Sequence, residues 1–557
     1  MSHSSSLLPI TEVAAAAGFT PEQVDPYGKT KAKIDHRLGS KPPAGARYVL
    51  VTAITPTPAG EGKTVTTIGL SMALNRIGKR AIGTIRQPSM GPVFGVKGGG
   101  AGGGKSVVEP MEELNLHLTG DFHAVAAANN LLSAAIDTSL LLDNPLRIHP
   151  EEISWRRVVD MNDRALREIT VGLGGKRNGV PHGAAFDITP ASEIMSIVGL
   201  ARDRADLRQR LDRIQIANDL AGGTLSAADL QVTGAMAAIL KQTIDPTLMQ
   251  TCEGTPMLVH TGPFANISYG NSSVIGDRVA ASVADFVVTE AGFGADMGAE
   301  KFFNVKCRVS GMKPDVAVLV ATVKALKMHS GRYEVKAGRP LPEELLREDL
   351  AALEEGLSNL EAQIDNVKLH GVPVVVAINR FPQDTDAEVA LVKQRALASG
   401  AEGCEESTMF VDGSAGGESL AHEVARVADA GLSKFQPLYA LDRPIREKVE
   451  TLARGVYGAR EVDFTPQALA QMARYEDTGH GDLPLCVAKT QYSLSHDPNL
   501  KGRPKGFRLP IREVRLYAGA GFLVPLAGDI MTMPGLGRSP AYRGIDVDDE
   551  GNISGLF

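Results

Sequence analysis

Cysteine is scarce in this chain, and its spacing excludes the two kinds of site that cysteine usually builds. The 4 cysteines lie far apart, and no Cys-x-x-Cys pair occurs. A zinc ribbon or a disulfide framework needs cysteines at characteristic spacings, so neither is expected. We interpret them as buried free thiols of a protein in a reducing compartment; they are Cys252, Cys307, Cys404 and Cys486.

The chain also lacks three other features: an excess of basic charge, a His-Glu-x-x-His sequence and an apolar run of membrane-spanning length. The chain has 58 basic and 65 acidic residues, which give a net charge of −7. That balance disfavours a nucleic-acid surface or an anionic-membrane surface, so we expect neither partner. Residues 1–6 lack the charged and apolar regions of a secretion signal, and we expect a cytoplasmic protein.

The most informative stretch of the chain is Thr57-Pro-Ala-Gly-Glu-Gly-Lys-Thr64. It follows an apolar run at 48–54 that predicts a buried strand, and it precedes a helical pattern at 65–74. A strand, a Gly-rich turn ending in Gly-Lys-Thr and a helix are the layout of a phosphate-binding loop (P-loop). Thr57 stands where the usual pattern has glycine. An ordinary strand-to-helix turn with glycines at positive φ remains the alternative.

The P-loop interpretation assigns a role to each residue of that stretch. Lys63 is expected to reach the β- and γ-phosphates, and Thr64 to hold the Mg²⁺ that accompanies ATP. Backbone N–H groups of the turn and of the helix start point at anionic oxygens. The residues predicted to bind ATP are Thr57, Pro58, Ala59, Gly60, Glu61, Gly62, Lys63 and Thr64.

Strand-like runs alternate with helical patterns over much of the chain, which is typical of a parallel sheet. We therefore predict an α/β fold: a P-loop-type parallel sheet flanked by helices, with further α/β and smaller C-terminal domains. A chain of 557 residues suits about two to four domains. We place a nucleotide-binding domain at 1–130, joined by part of 335–370, a second α/β domain at 131–381 and a smaller C-terminal domain at 382–557.

Individual elements are predicted from the same patterns. Strand-like runs occupy 80–85, 286–289, 316–320 and 372–378. Residues 10–40 and most of 110–180 have a helical pattern. Leucines recur at spacings of three and four within 343–368, which predicts a helix packed on the sheet, with a coiled coil as the alternative.

Two further segments lie on the binding side of the predicted sheet. The run at 80–85 ends at Arg86, and ligands of open α/β sheets bind beyond the carboxyl ends of strands. The Gly-rich segment at 95–105 carries lysines rather than serines. We interpret it as a backbone-lined anion loop, with a flexible linker as the alternative.

Polar loops also follow the later strand-like runs. Phe381 and Pro382 follow the run at 372–378, where guanine-nucleotide proteins have Asn-Lys-x-Asp; Pro382 in place of that aspartate disfavours guanine. An aromatic ring there can stack on a flat heterocycle, and a core phenylalanine fits the spacing equally well. The loop at 289–301 combines glycines with charged side chains. Together these loops predict one composite site.

Several long motifs in a fixed order give a resemblance that covers essentially the whole chain. Besides residues 55–64, the motifs lie at 86–98, 115–123, 289–301, 320–329, 488–493 and 531–535. In these motifs the chain resembles the formate–tetrahydrofolate ligase (formyltetrahydrofolate synthetase) family, in its monofunctional form. The resemblance implies that ATP, formate and tetrahydrofolate give ADP, phosphate and 10-formyltetrahydrofolate through formyl phosphate. It also implies a homotetramer and Mg-ATP, and it leaves a monovalent-cation requirement open.

The resemblance also implies roles for individual residues. Arg86 would clamp formate and then formyl phosphate, with a surface ion pair as the alternative, and Lys63 would act beside it. Asp121 and His123 are candidates for accepting the proton that the amine loses, or for orienting groups. The predicted formyl phosphate loop is Lys97, Gly98, Gly99 and Gly100. The predicted folate slot is Phe381, Pro382 and Phe410.

This chain departs from the family pattern at four of these places. Gln87 replaces a common glutamate, Lys105 replaces a tyrosine at the end of the Gly-rich segment, and Ser330 replaces a glycine. Phe410 stands where many members have a folate-stacking tryptophan. Two other function classes remain open from the sequence: a P-loop ATPase that acts as a partner-binding switch, and an ATP-dependent ligase for another small acid.

Overall fold

The computed structural model describes residues 7–40, 45–95, 100–335, 340–528 and 530–556. In chain order the strands are β1 (Val24–Tyr27), β2 (Lys31–Ile34), β3 (Arg47–Ala53), β4 (Ala81–Ile85), β5 (Gly102–Gly103), β6 (Ser106–Glu109), β7 (Ile148–Ile153), β8 (Arg157–Val159), β9 (Ile169–Val171), β10 (His182–Ala184), β11 (Phe186–Ile188), β12 (Gln215–Asp219), β13 (Thr224–Ser226), β14 (Thr247–Thr251), β15 (Pro256–Val259), β16 (Phe286–Glu290), β17 (Val316–Ala321), β18 (Val374–Asn379), β19 (Gly403–Ser407), β20 (Glu461–Phe464), β21 (Arg508–Ile511), β22 (Glu513–Tyr517), β23 (Phe522–Leu526), β24 (Asp546–Val547) and β25 (Ile553–Ser554).

The α-helices are α1 (Ile10–Ala17), α2 (Lys63–Arg76), α3 (Met90–Gly95), α4 (Met111–Asn115), α5 (Asp121–Leu141), α6 (Glu193–Leu200), α7 (Arg204–Asp212), α8 (Thr233–Ile239), α9 (Val274–Val283), α10 (Cys307–Ser310), α11 (Val323–His329), α12 (Leu350–Lys368), α13 (Asp386–Ala398), α14 (Met409–Asp412), α15 (Glu418–Asp429), α16 (Ile445–Leu452) and α17 (Pro466–Asp477). Two π-helical turns, Ala295–Ala299 and Phe302–Lys306, follow β16. A third, Ala453–Tyr457, follows α16.

One large mixed sheet with helices on both faces confirms the predicted α/β fold. The sheet has 12 strands, and its main path runs β1-β2-β14-β15-β4-β16-β3-β17-β18-β19. From β15 to β19 every neighbouring pair is parallel, whereas β1, β2, β14 and β15 pair antiparallel. The carboxyl ends of the parallel strands therefore meet at one edge, where ligands of such sheets bind.

The parallel strands are buried on both faces because their apolar side chains alternate between two cores. In β3, Val49 and Val51 pack with Leu70 of α2 and Val424 of α15. Tyr48 and Leu50 point the other way and join the core that holds residues of α9 and α12. A strand that is covered on both sides reads as a continuous apolar run, which is why the sequence predicted β3, β4, β16, β17 and β18 close to their observed bounds.

The C-terminal part of the chain has a core of its own. Its buried apolar residues run from Tyr439 to Ala527, while Phe522 and Leu526 of β23 pack into the main core. The large sheet takes strands from all three predicted domains, since β6, β16 and β19 all belong to it. The sheet therefore does not separate the three predicted domains, and the domain boundaries at 130 and 381 stay predictions.

Two helical predictions are wrong in part. Within 10–40 only α1 is an α-helix, because β1 and β2 form an antiparallel pair and β2 pairs in turn with β14. Beyond α5 the predicted helical stretch contains β7, β8 and β9 instead. The helix predicted within 343–368 is confirmed as α12, and it packs on the sheet rather than forming a coiled coil, since Leu353, Leu357 and Leu360 are buried in the main core.

One helix in the described residues, α5, is long and apolar enough to cross a membrane by length and composition alone. Of its most apolar window, 44% is buried inside the protein. Phe122, Val125, Leu132 and Ile136 of this helix belong to the main core. The core helix of a globular protein passes the same test, so α5 gives little support to a membrane-bound protein.

Candidate active site

The predicted P-loop connects the central strand β3 to helix α2, as the sequence indicated. Gly60 and Gly62 have φ of +73° and +84°, a region that favours glycine. At Gly62 a Cβ atom would also collide with Nδ2 of Asn379, which closes β18. The same Nδ2 donates to the carbonyl oxygen of Glu61 at 3.2 Å. The loop is thus fixed from its side by the second strand along the sheet.

Glu61 places a buried carboxylate inside this loop. Its Oε1 accepts a hydrogen bond of 2.6 Å from the backbone N–H of Thr57, and its Oε2 lies 3.6 Å from Nζ of Lys63. Burial raises the pKa of Glu61, and the Lys63 ammonium opposes that shift. The carboxylate therefore engages two groups, the Thr57 N–H and the Lys63 ammonium, that the predicted P-loop would offer to a phosphate.

Glu290, at the end of β16, joins Thr64 to Arg86. The Thr64 hydroxyl donates to Oε2 of Glu290 at 3.0 Å, and Nη2 of Arg86 lies 4.0 Å from Oε1 of the same carboxylate. β16 lies between β3 and β4 in the sheet, so the carboxyl ends of three neighbouring strands bring these side chains together. Sequence reasoning singled out the loop at 289–301 but gave Glu290 no role.

Arg86 is partly buried next to the Glu290 carboxylate. Its side chain is 23% exposed, and its Nη1 donates to the carbonyl oxygen of Pro263 at 3.0 Å. Its buried Nε has no hydrogen-bond partner among the described residues. Burial lowers the pKa of Arg86, while the Glu290 carboxylate opposes that effect. A guanidinium in this setting retains donors for an anionic oxygen.

Two more side chains approach the loop from β17 and β18. Nζ of Lys324, in the first turn of α11, lies 3.5 Å from the centroid of the Phe381 ring. Burial lowers the pKa of Lys324, and the carboxylates of Asp384 and Glu61 oppose this shift. The ammonium thus lies against the Phe381 ring of the predicted folate slot, and the charge of Glu61 in the P-loop acts on it; the sequence pattern did not reveal this placement. Pro382 follows Phe381 on the surface.

Phe410, in the first turn of α14, lies beside the end of the Gly-rich segment. Its side chain is 47% exposed, and its carbonyl oxygen accepts a hydrogen bond of 2.8 Å from the N–H of Lys105. Gly103 and Gly104 pack closely against it. Gly100 donates from its backbone to Oδ1 of Asn115, and Lys97, Gly98 and Gly99 lie outside the described residues.

Asp121 and His123 have different surroundings, although they are two residues apart. Asp121 is buried, and both of its carboxylate oxygens accept from Nζ of Lys33, at 2.9 and 2.7 Å. Burial raises its pKa against the opposing charge of Lys33. His123 is exposed, and its Nε2 lies 2.9 Å from Nδ1 of His117.

The family model for formate–tetrahydrofolate ligase matches residues 1–557. The chain belongs to this family. A formate–tetrahydrofolate ligase of Roseiflexus sp. is 56% identical over 99% of this chain and 98% of its own length. Formate–tetrahydrofolate ligase 2 of Rubrobacter xylanophilus is 53% identical over 99% of this chain and 97% of its own length, and so is the formate–tetrahydrofolate ligase of Desulforamulus reducens.

Membership in this ligase family decides between the function classes that the sequence left open. The protein is a ligase, and neither a partner-binding switch nor a ligase for another acid is needed to explain its motifs. The three polar loops that converge on Glu290 are the P-loop, the segment that starts at Arg86 and the segment at 289–301.

Besides Phe410, three positions depart from the family pattern: Gln87, Lys105 and Ser330. Gln87 is buried, and its backbone N–H donates to the carbonyl oxygen of Thr261 at 2.7 Å. Lys105 contacts Phe410 through its backbone. The Ser330 hydroxyl donates to the carbonyl oxygen of Lys327 at the end of α11. These three positions thus lie next to Arg86, next to Phe410 and at the end of α11, outside the group formed by Thr64, Arg86 and Glu290.

Proposed function

We propose that this ligase makes formyl phosphate from ATP and formate beside Arg86, and then transfers the formyl group to tetrahydrofolate. The ATP-dependent ligation of formate to tetrahydrofolate follows from family membership. The observation that carries the finer proposal is the arrangement of Thr64 and Arg86 on either side of the Glu290 carboxylate. This arrangement places the P-loop and Arg86 next to the same carboxylate.

Formate has to be activated because oxide is not a usable leaving group. In the first step a formate oxygen attacks the γ-phosphorus of ATP, the bond between that phosphorus and the ADP oxygen breaks, and formyl phosphate forms. Phosphoryl transfer is catalysed mainly by positioning and by neutralising charge. The backbone of residues 57–64 and the ammonium of Lys63 supply those interactions once Lys63 moves from Glu61 to a phosphate oxygen.

In the second step N10 of tetrahydrofolate attacks the formyl carbon. The bond from that carbon to the phosphate oxygen breaks, and the oxygen leaves with phosphate. The N–H groups of Arg86 can donate to the carbonyl oxygen as negative charge develops on it, which is the kind of interaction that stabilises such transition states. We favour His123 over Asp121 as the acceptor of the N10 proton, because both oxygens of Asp121 are held by Lys33.

The donor set at Thr64 and Glu290 fits Mg²⁺, which prefers oxygen ligands and is usually bound by one or two carboxylates together with substrate phosphates. A hydroxyl and a carboxylate oxygen lie 3.0 Å apart there. When bound with ATP, Mg²⁺ neutralises charge on the β- and γ-phosphates. Glu290 would also hold the Thr64 hydroxyl in place. The resemblance leaves a requirement for a monovalent cation open.

Phe381, Pro382 and Phe410 form the proposed pterin slot. Phe381 follows Asn379, which contacts the P-loop at Glu61, and the hairpin beside Phe410 approaches Val65 of α2. Both aromatic rings thus lie next to the segment that binds ATP. The role of Lys97, Gly98, Gly99 and Gly100 as a formyl phosphate loop stays part of the proposal.

We also propose a homotetramer in the cytoplasm. The resemblance supports the tetramer, and sedimentation equilibrium would test it. Free cysteines support a reducing compartment: Cys307, Cys404 and Cys486 are buried, and Cys252 is partly buried.

Isotope transfer tests the proposed chemistry directly. With formate carrying ¹⁸O at both oxygens, the two steps place one labelled oxygen in each phosphate released and one in each formyl group. Mass spectrometry of the phosphate reads this out. Phosphate that takes its new oxygen from solvent while 10-formyltetrahydrofolate still forms would contradict the proposal.

A further inference from the structure

A continuous chain of buried polar side chains joins the start of the P-loop to the C-terminal part of the protein. It begins at Thr55, just after β3, and passes through Gln363 of α12 and Asp296 to Lys489. These four residues are at most 1% exposed. The proposed mechanism uses none of them, although Thr55, Asp296 and Lys489 belong to sequence motifs of the family pattern.

Every polar group of Thr55 has a hydrogen-bond partner on α11 or α12. Its N–H donates to Oδ1 of Asn359 at 3.0 Å, and its carbonyl oxygen lies 2.8 Å from Nε2 of His329. Its hydroxyl oxygen accepts from Nδ2 of Asn359 at 2.9 Å and from Nε2 of Gln363 at 3.0 Å. The backbone that enters the loop is therefore fixed by α11 and α12.

His329 acts here as a neutral donor. Burial lowers its pKa to about 4, so the ring is uncharged near neutral pH, and its Nε2–H is the group that can donate to the Thr55 carbonyl oxygen.

Gln363 also contacts a buried ion pair formed by Asp296 and Lys489. The same Nε2 that reaches Thr55 also donates to Oδ1 of Asp296 at 2.7 Å. The other oxygen of Asp296 lies 2.7 Å from Nζ of Lys489. That ammonium in turn donates to the carbonyl oxygen of Ser493 at 2.5 Å. Separating the two members of a buried ion pair would leave uncompensated charges inside the protein. The Asp296–Lys489 pair is therefore expected to stay formed and to hold the Gln363 side chain in place.

A second contact ties the same helix to the C-terminal part. Nδ2 of Asn359 donates to the carbonyl oxygen of Gly502 at 2.9 Å as well as to Thr55. Asn359 and Gln363, one turn apart on α12, thus both contact Thr55. Asn359 also contacts Gly502, and Gln363 also contacts Asp296. The conformation of the loop and that of residues 488–502 are joined through α12.

We propose that Gln363 is a positioning residue for nucleotide binding, and that the Asp296–Lys489 pair behind it lets the C-terminal part of the chain set the affinity of the P-loop. The inference rests on the proposed function only in that residues 57–64 bind the phosphates of ATP. By thermodynamic linkage, nucleotide binding must then stabilise the segment around Lys489 by the same free energy.

Binding of ADP, measured by calorimetry without formate or folate, tests the proposal separately from formyl phosphate chemistry. Thr55→Val removes the hydroxyl that accepts from Gln363, and Gln363→Leu removes the donor. Each is expected to raise the Kd for ADP by roughly 2- to 30-fold, the range found for residues that couple two sites. Thr55→Ser keeps the hydroxyl and is expected to keep the wild-type Kd.

Thr84→Val is the matched control, because Thr84 lies in β4 of the same sheet and is equally buried. Its hydroxyl donates to Asp277 of α9 at 2.7 Å, outside the chain of contacts described here. It is expected to lower the melting temperature without changing the Kd for ADP. A wild-type Kd in both Thr55→Val and Gln363→Leu would overturn the proposal, and so would an equal rise in the Thr84→Val control.

Hydrogen exchange on the wild-type protein tests the reciprocal effect without any substitution. The proposal requires ADP to slow amide exchange in residues 488–502 as well as in the P-loop. Protection confined to the P-loop and its immediate neighbours would overturn it even where the variants fail to fold. A protein that binds ADP as described here but yields no formyl phosphate would contradict the proposed function and leave this inference intact.

Discussion

The hydroxyl of Thr64 donates a hydrogen bond of 3.0 Å to the carboxylate of Glu290. The two residues come from neighbouring parallel strands, since Glu290 ends β16 and Thr64 follows β3 through the P-loop. In P-loop enzymes a carboxylate near the loop threonine helps to hold Mg²⁺. Glu290 is the residue of this chain that stands in that position, and it also faces Arg86.

Glu290→Ala is therefore expected to weaken the use of Mg²⁺. Loss of a group that holds a metal site commonly costs about 10- to 100-fold in metal affinity or activity, so the Mg²⁺ concentration for half-maximal rate should rise by that factor. Steady-state rates at varied Mg²⁺ would measure the shift. Binding of ADP without Mg²⁺ serves as the control and should not weaken. An unchanged Mg²⁺ dependence would remove Glu290 from this role.

Arg86→Lys should separate charge from geometry at the formyl phosphate site. Lysine keeps the positive charge but lacks the planar fork of donors that suits carboxylate and phosphate oxygens. We expect kcat to fall on the order of 10²–10³-fold, as when a donor to a developing oxyanion is lost, with a much smaller change in the KM for ATP. Arg80→Lys is the matched control, since Arg80 pairs with Asp285 on the surface. Retention of kcat in Arg86→Lys would count against the mechanism.

Glu61→Gln is expected to bind ATP more tightly than the wild-type protein. The Glu61 carboxylate occupies the Thr57 N–H and faces Lys63, both of which a phosphate would use. Like charges about 4 Å apart repel by up to about 4 kcal/mol at an effective dielectric constant of 20. A fraction of that energy suffices for about a tenfold gain in affinity.

Acidification of the wild-type protein should mimic this substitution. Burial raises the pKa of Glu61, so its carboxylate becomes neutral as the pH falls through that raised value. The ratio of wild-type to variant Kd, measured by calorimetry at several pH values, should then approach one at low pH. Weaker ATP binding by Glu61→Gln would show that the carboxylate supports the loop instead.

Phe381→Ala tests the proposed pterin slot. Stacking of an aromatic pair is worth about 0.5–1.5 kcal/mol beyond the area it buries, so the KM for tetrahydrofolate should rise at least about twofold, with little effect on the KM for ATP. Phe464→Ala provides the comparison, because Phe464 also carries a cation over its ring, Arg446, but belongs to the C-terminal core. Equal effects of the two substitutions on the KM for tetrahydrofolate would contradict the assignment.

Glu193 should make the protein less stable as the pH rises towards neutrality. Burial raises its pKa from 4.5 to about 7, against hydrogen bonds from the N–H groups of Ala520 and Gly519. A raised carboxyl pKa means that the folded state binds the proton more tightly, so its stabilising contribution is present below about 4.5 and is lost by about 7.

Glu193→Gln should abolish this pH effect, since an amide oxygen can still accept from Gly519 and Ala520. At pH 8 the variant is expected to gain up to about 3 kcal/mol in the free energy of unfolding relative to the wild-type protein; below pH 4.5 the advantage should vanish. Urea unfolding of both proteins at several pH values measures the difference. A difference that does not vary with pH would refute the role given to the carboxyl group.

The parts of the fold and site that follow from local sequence were predictable. The buried strands read as continuous apolar runs, and the P-loop residues are contiguous, so β3, Gly62 and α2 needed no knowledge of the tertiary structure. Arg86 could be placed because it directly follows β4. The bridging role of Glu290 could not be read, since Thr64 and Glu290 are 226 residues apart in the chain.

Other contacts could not be predicted from the sequence for the same reason. Lys33 lies in a segment that reads as helical, and only its place in β2 directs it to Asp121, 88 residues away. The position of Lys324 over Phe381 depends on β17 and β18 being neighbours in the sheet. Such pairings are set by sheet order, which a single sequence does not reveal.

Trapping the activated formyl group tests the central claim most directly. The protein is incubated with ATP, formate and hydroxylamine but without tetrahydrofolate, and formyl hydroxamate is measured. Formyl phosphate held beside Arg86 predicts that the wild-type protein and Arg80→Lys form hydroxamate with a matching release of ADP, and that Arg86→Lys forms far less. A wild-type protein that makes 10-formyltetrahydrofolate normally but yields no hydroxamate without tetrahydrofolate would contradict the account.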